Sequence, residues 1–136
     1  MKRKEAILAY IFFLLASCSR RPPELSAILP ENVAAWTREA VRSMSASDAP
    51  EVVRSAGMNR WATADYHLGS AQRIAVEIYA MKGETSAFEL QQKFHESDTI
   101  TFYKGPLFVV ARRKAGEPAD LQSFARSLQS QLILDR

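Results

Sequence analysis

Ten residues, Gln72 to Met81 (QRIAVEIYAM), constrain the fold of this chain more than any other stretch. Ile74, Val76, Ile78 and Ala80 recur at every second position, so an extended strand puts them all on one side, whereas a helix scatters them. Just before it, Arg60 to His67 (RWATADYH) reads as a second strand, and Leu68-Gly69-Ser70-Ala71 between the two favours a turn. Parity then selects the pairing. A two-residue Gly69-Ser70 loop sets Asp65 against Ile74 and Thr63 against Val76, mixing polar side chains into the apolar face. An odd, three-residue loop sets Asp65 against Arg73, Ala64 beside Ile74 and Ala62 beside Val76. A slip of one residue inverts every side chain, so the pattern predicts the odd loop.

A second hairpin is expected from Thr99–Tyr103 (TITFY) and Pro106–Arg112 (PLFVVAR), with Lys104-Gly105 at the turn. Ile100, Phe102, Leu107 and Val109 then share one face; Thr101, Phe108 and Val110 share the other. Both faces are apolar, which points to a central pair covered on both sides. Pro106 cannot donate to a ladder and belongs at the turn end. Thr37–Met44 alternates loosely and reads as a first strand, preceded by an entry segment Leu25–Trp36 in which Leu29-Pro30 is extended.

Helices are expected in three places. Ser47 or Asp48 caps a short one, with Pro50 and Glu51 in its first turn, Val52, Val53 and Ala56 as its stripe, and Gly57 as its end. Gly83–His95, capped by Thr85 or Ser86, places Ala87, Phe88, Gln91 and Phe94 on one stripe. The last, from about Ala119 to Leu134, carries Leu121, Phe124, Ala125, Leu128 and Leu132 at helical spacing, with Asp120 in its first turn. Hairpins with segregated helices make the class α+β: an antiparallel sheet of about five strands packed with about three helices.

The N-terminus speaks about location. Lys2, Arg3 and Lys4 precede an uncharged apolar run, Ala6–Ala16, that ends in Leu15-Ala16-Ser17-Cys18. The run has the length of a secretory h-region and is short of the ~20 residues that span a bilayer. The four residues resemble the lipobox of bacterial lipoproteins. That resemblance implies cleavage after Ser17 and acylation of Cys18, whose acyl chains bury in the membrane at ~0.8 kcal/mol per methylene. Cys18 is also the chain's single cysteine, a thiol with no intramolecular partner, for which acylation accounts. Ser19 stands where an aspartate would resemble an inner-membrane retention signal, so the implied location is the periplasmic face of the outer membrane.

The expected organisation is a signal peptide at 1–17, an acylated cysteine with a Pro/Arg tether at 18–27, and one globular domain at 28–136. Of 18 basic and 15 acidic residues the segment before Cys18 holds three and one, leaving 15 against 14. So balanced a domain, without a basic patch interleaved with aromatics, gives nucleic-acid binding no support. Without a second cysteine the fold must hold by packing alone.

Further along, Ile28-Leu29-Pro30 with Trp36, Val76–Met81, Ser86-Ala87-Phe88 and Phe102–Val110 resemble an uncharacterised domain-of-unknown-function family of bacterial secreted proteins and lipoproteins. The likeness covers roughly residues 28 to 134. It implies the fold and an envelope location and brings no activity, cofactor or site.

Chemistry is sparse. His67 and His95 are the only imidazoles and form no ligand-spaced cluster, so no metal is indicated. Ser70, His67 and Asp65 can be written as a nucleophilic set, but they lack an orienting elbow. Five glycines never form a phosphate cradle, and no cofactor is indicated. The candidate partner or ligand surface is Trp61, Tyr66 and Tyr103 with Arg112 and Arg113; packing aromatics and solvated strand-end charges are the plainer reading of the same residues. Three functions remain open: a non-catalytic binding or accessory subunit of the envelope, with membrane lipid and a protein as partners; a small-molecule or glycan-binding module; and an enzyme. They differ in what they require: an apolar patch, a concave apolar pocket with convergent polar groups, or perturbed titratable groups in such a pocket.

Overall fold

The computed structural model describes residues 24–132. The lipobox Leu15–Cys18, the tether before Glu24 and the last two residues of the expected final helix lie outside them. Within them the chain is α+β, as its patterns require: a six-stranded antiparallel sheet with four α-helices.

The elements run α1 (Leu25–Ile28), β1 (Asn32–Val33), β2 (Trp36–Met44), a 3₁₀ turn at Ala46–Asp48, α2 (Glu51–Ser55), β3 (Met58–Leu68), β4 (Gln72–Met81), α3 (Glu84–Lys93), β5 (Thr99–Lys104), β6 (Leu107–Ala115) and α4 (Pro118–Gln131). The strand order is β1-β2-β3-β4-β6-β5. β4, the strand of strictest alternation, therefore lies inside the sheet, between β3 and β6. The sixth strand is β1, two residues long and too short to show any periodicity. Packing begins at Leu25, which is buried, three residues before the expected domain start.

The β3–β4 hairpin has the expected parity: Ala62 and Ala64 face the core with Ile74, Val76 and Ile78. Its register is displaced by two residues from the expected one. Leu68 pairs with Gln72 across Gly69-Ser70-Ala71, so Tyr66 lies opposite Ile74, Ala64 opposite Val76, and Asp65 opposite Ala75 rather than Arg73. Leu68 packs against the core as a strand residue instead of joining the turn. The second hairpin turns at Gly105-Pro106 with Phe102 opposite Val109, and its two faces are divided as expected. It is not a central pair: β6 is interior, whereas β5 is an edge.

Each face of the sheet carries its own core. On the first, α1 and α4 cover Trp36, Ala64, Tyr66, Ile74, Val76, Phe102 and Val109. Phe124 of α4 meets Trp36 and Tyr66 edge-on at 5.3 and 5.1 Å between ring centres. α4 touches both β1 and β5, so the sheet curls around it. Its buried stripe is the expected one, Leu121, Phe124, Ala125, Leu128 and Leu132. Asp120 accepts from the Glu117 amide at its start, and Lys104 Nζ donates to the Gln129 and Leu132 carbonyls at its end.

On the second face, α2 and α3 cover Trp61, Tyr79, Met81, Phe108 and Val110. The stripe of α3 differs from expectation. Ser86, Ala87, Leu90 and Phe94 are buried, while Phe88 turns outward and is 45% exposed. Ala87, Leu90 and Phe94 stand at i, i+3 and i+7, and Phe88 lies about 100–160° around the helix from them. Neither helix here uses its expected cap: Pro50 and Gly83 occupy those positions, without a side-chain hydrogen bond. Gly57, at φ +96°, ends α2, and a Cβ there would meet the Lys82 stem at 2.7 Å.

Candidate functional site

The second face is only partly roofed. α2 and α3 cover the end near Tyr79, and beyond them the strands present mostly polar residues: Thr63 and Asp65 from β3, Glu77 from β4 and Arg112 from β6, with Ala75 of β4 between Asp65 and Arg112. Glu77 is the one acid in β4, and its carboxylate is divided between two donors. The Tyr79 hydroxyl donates to Oε2 at 2.7 Å, and Arg112 Nη2 reaches Oε1 at 3.5 Å. Arg112 Nη1 also pairs with Glu96, in the connection between α3 and β5.

Burial and these bonds together set the protonation states. Burial first, and then the Glu77 carboxylate, push the Tyr79 phenol far above its usual range. Partial burial works against the Arg112 charge, but hydrogen bonds and attraction from Glu96 and Glu77 outweigh it and raise its pKa. The tyrosine is thus a fixed donor and the arginine a fixed cation. Neither is poised to exchange protons near neutrality, and the chain of contacts acts as a clamp.

Arg113 completes it from the other side. Its amide donates to the Asp98 carbonyl at 2.9 Å, its guanidinium pairs with the Asp98 carboxylate, and Nη1 donates to the Gly116 carbonyl at 2.8 Å. Neighbouring strand residues point to opposite faces, so Arg112 and Arg113 grip residues 96–98 from both. Asp98 takes a left-handed conformation, φ +55°, that aspartate tolerates. The reading of these arginines as solvated strand-end charge is thereby corrected. Both are held in ion pairs, on an interior strand, whereas Lys114, the next residue along, is exposed.

The expected aromatic surface is also corrected. Trp61 and Tyr66 are 7% and 1% exposed and lie on opposite faces of the sheet, because adjacent parity in β3 sends them to different cores. Trp61 stacks on Tyr79 at 5.3 Å and donates Nε1–H to the Ser45 carbonyl at 2.8 Å. Tyr66 donates to the Pro30 carbonyl at 2.6 Å, and burial raises its phenol pKa against the opposing pull of Arg38. Tyr103 alone stays partly open, edge-on to Phe88 at 5.5 Å. The five residues therefore form no common surface.

Two concavities stand out on the second face among the described residues. One is a groove of about 330 Å³ between α2 and α3, with Val52, Ala56 and Leu90 as apolar lining and Ser55, Lys82, Ser86, Glu89 and Lys93 around them. Val52, expected in the packed stripe of α2, is 45% exposed here. The other is a polar depression of about 370 Å³ over the clamped connection, lined by Phe94, His95, Glu96, Ser97, Thr99 and Thr101. His67 stands apart, its Nδ1 3.3 Å from the Gly69 carbonyl. Among the described residues, no three of His, Cys, Asp and Glu stand where they would hold a metal ion, and no helix is long and apolar enough to cross a membrane.

No family model, curated protein or solved structure matches the chain.

Proposed function

We propose that this chain is a lipid-anchored lipoprotein of the bacterial envelope, facing the periplasm, whose domain is a non-catalytic binding or accessory subunit. The anchoring half of the reading rests on Leu15-Ala16-Ser17-Cys18 and the charged, apolar run before it. Six residues separate Cys18 from Leu25, the first buried side chain. At ~3.1 Å per residue for an extended proline-containing tether, the body stays within about 20 Å of the lipid.

The binding half rests on the α2–α3 groove. Lysines and a glutamate surround an apolar lining, and Val52 beside it has no packing partner that hides it. That combination fits a protein segment with an apolar anchor and mixed charge. A small-molecule or glycan-binding role is the second reading, favoured by the polar depression with His95, Glu96, Thr99 and Thr101.

Affinity purification of the full-length protein from detergent-solubilised native membranes tests the first reading, with Cys18→Ser and Val52→Glu as comparisons. Cys18→Ser should abolish labelling by a fatty-acid probe, and persistent labelling would sink the anchor. One partner recovered near stoichiometry and lost with Val52→Glu is expected; a clean preparation without a partner would transfer the weight to ligand binding.

A further inference from the structure

The two edges of the sheet are finished differently. β5 is flanked by α3 and α4, and Gln91 Nε2 donates to its Thr101 carbonyl at 3.2 Å. At the opposite edge β1 pairs only with Trp36 and Thr37 of β2, and the Arg38 amide donates to the Glu31 carbonyl at 2.8 Å. From Glu39 to Met44 no strand lies outside β2 among the described residues. Six residues of extended backbone thus present one unpaired row of amides and carbonyls, a template for another strand.

The side chains decide which strand. Arg42, in the middle of this stretch, is exposed and has no hydrogen bond or ion pair among the described residues. Glu39, the one acid on the stretch, is already paired with Arg73 at 3.0 Å. A second copy of the chain is a poor fit. Two-fold antiparallel pairing requires a residue to face its own copy on the axis, and only two such registers pair five of the free residues. With Arg42 on the axis the two guanidinium groups are directly opposite. With Val41 on the axis they are diagonal neighbours, ~7–8 Å apart, where like charges repel. The same cation attracts a strand with a carboxylate opposite it, so it rejects the chain's own copy while leaving the edge open to a different one.

We propose that the free edge of β2, Glu39–Met44, is a docking site for an extended segment of another protein that adds a seventh strand and places an acidic side chain opposite Arg42. The surface is separate from the α2–α3 groove and does not depend on it. Main-chain bonds supply the attachment; Arg42 selects the sequence and the register.

The test uses the full-length chain in detergent and three synthetic probes. The first is an eight-residue capped peptide alternating valine and threonine with one central glutamate. The second carries lysine in place of the glutamate, and the third is the glutamate peptide N-methylated on every amide. The glutamate peptide should slow amide hydrogen exchange within residues 39–44 and bind about tenfold more tightly than its lysine twin. N-methylation of every amide should remove binding, because it removes the donors of both strand edges. Arg42→Glu, a change at an exposed position, should reverse the preference between the charged peptides. Equal binding of the two peptides, protection confined to other segments, or no change of preference in Arg42→Glu would each overturn the proposal. So would protection of 39–44 in the peptide-free protein accompanied by dimers in sedimentation, which would make a second copy the occupant.

Discussion

The two faces of the sheet are built from the same strands and treated in opposite ways. On the face under α1 and α4, alternate positions of β3, β4, β5 and β6 are almost wholly apolar, and Phe124 seals them against Trp36 and Tyr66. On the face under α2 and α3 the apolar layer ends at Tyr79, Phe108 and Val110, and beyond it Glu77, Arg112 and Glu96 take over. The first face therefore carries the larger and more fully sealed core. The other spends part of its area on polar contacts that hold a connection in place and leaves two concavities open. A strand has one backbone but two independent side-chain rows, which lets one sheet serve both purposes.

The largest expected effect lies on the sealed face. Phe124→Ala removes a ring 1% exposed and in contact with two other aromatics, and should cost about 3–5 kcal/mol in urea unfolding. A loss below about 1 kcal/mol would mean that this face does not dominate stability.

Alkaline pH comes next, and it probes both faces, since Tyr66 belongs to one and Tyr79 to the other. In both, the folded pKa is raised above the ordinary value of 10.0. The stability they contribute is therefore complete below about pH 10 and is lost as pH climbs from there toward the folded values, because the unfolded chain releases those protons first. The phenolate absorbance removed by Tyr66→Phe and by Tyr79→Phe should rise only together with loss of the circular dichroism signal. Ionisation near pH 10 in the intact fold would show that the two rings are not held as described.

A smaller effect is expected from the clamp. Its ion pairs are partly exposed, with Arg112 at 24% and Glu96 at 45% side-chain accessibility, so solvent screening limits their worth. Arg112→Ala should cost about 1 kcal/mol and speed amide exchange in residues 96–98, whereas Lys114→Ala, at an exposed neighbour, should do neither. Equal effects of the two substitutions would return Arg112 to the status of a surface charge.

Legibility followed the length and strictness of each pattern. α4 and β4 were readable because five apolar positions in one and four in the other repeat without a break. The β3–β4 parity was readable for the same reason, yet its register was not: parity distinguishes odd from even and is blind to a shift of two, which Leu68 decided by joining the core. On α3 the bulk of Phe88 suggests a buried position, whereas spacing from Ala87 and Phe94 favours Leu90, and Leu90 is the residue the fold buries. α1 and β1, four and two residues long, leave no periodic trace. The clamp leaves little trace in the sequence because Glu77, Glu96 and Arg112 are far apart in it, although a single acid within the apolar run of β4 signals a donor beside it. Trp61 and Tyr66 share aromatic character but stand five apart on one strand, an odd separation that puts them on opposite faces.

The smallest change in stability is expected from Phe88→Ser, and it separates the two faces most sharply. Phe88 is as large as Phe124 and also touches another ring, that of Tyr103, but it is nearly half exposed. Most of what burial would lose at Phe124 is already in water at Phe88, so the cost should stay near ~0.5 kcal/mol. If the open face is the working one, the same substitution should weaken recovery of a partner from native membranes while leaving unfolding almost unchanged, and Phe124→Ala should do the reverse at temperatures where it remains folded. A Phe88→Ser protein that unfolds like Phe124→Ala would show that α3 seals its face as tightly as α4 does, and the contrast between the two faces would be lost.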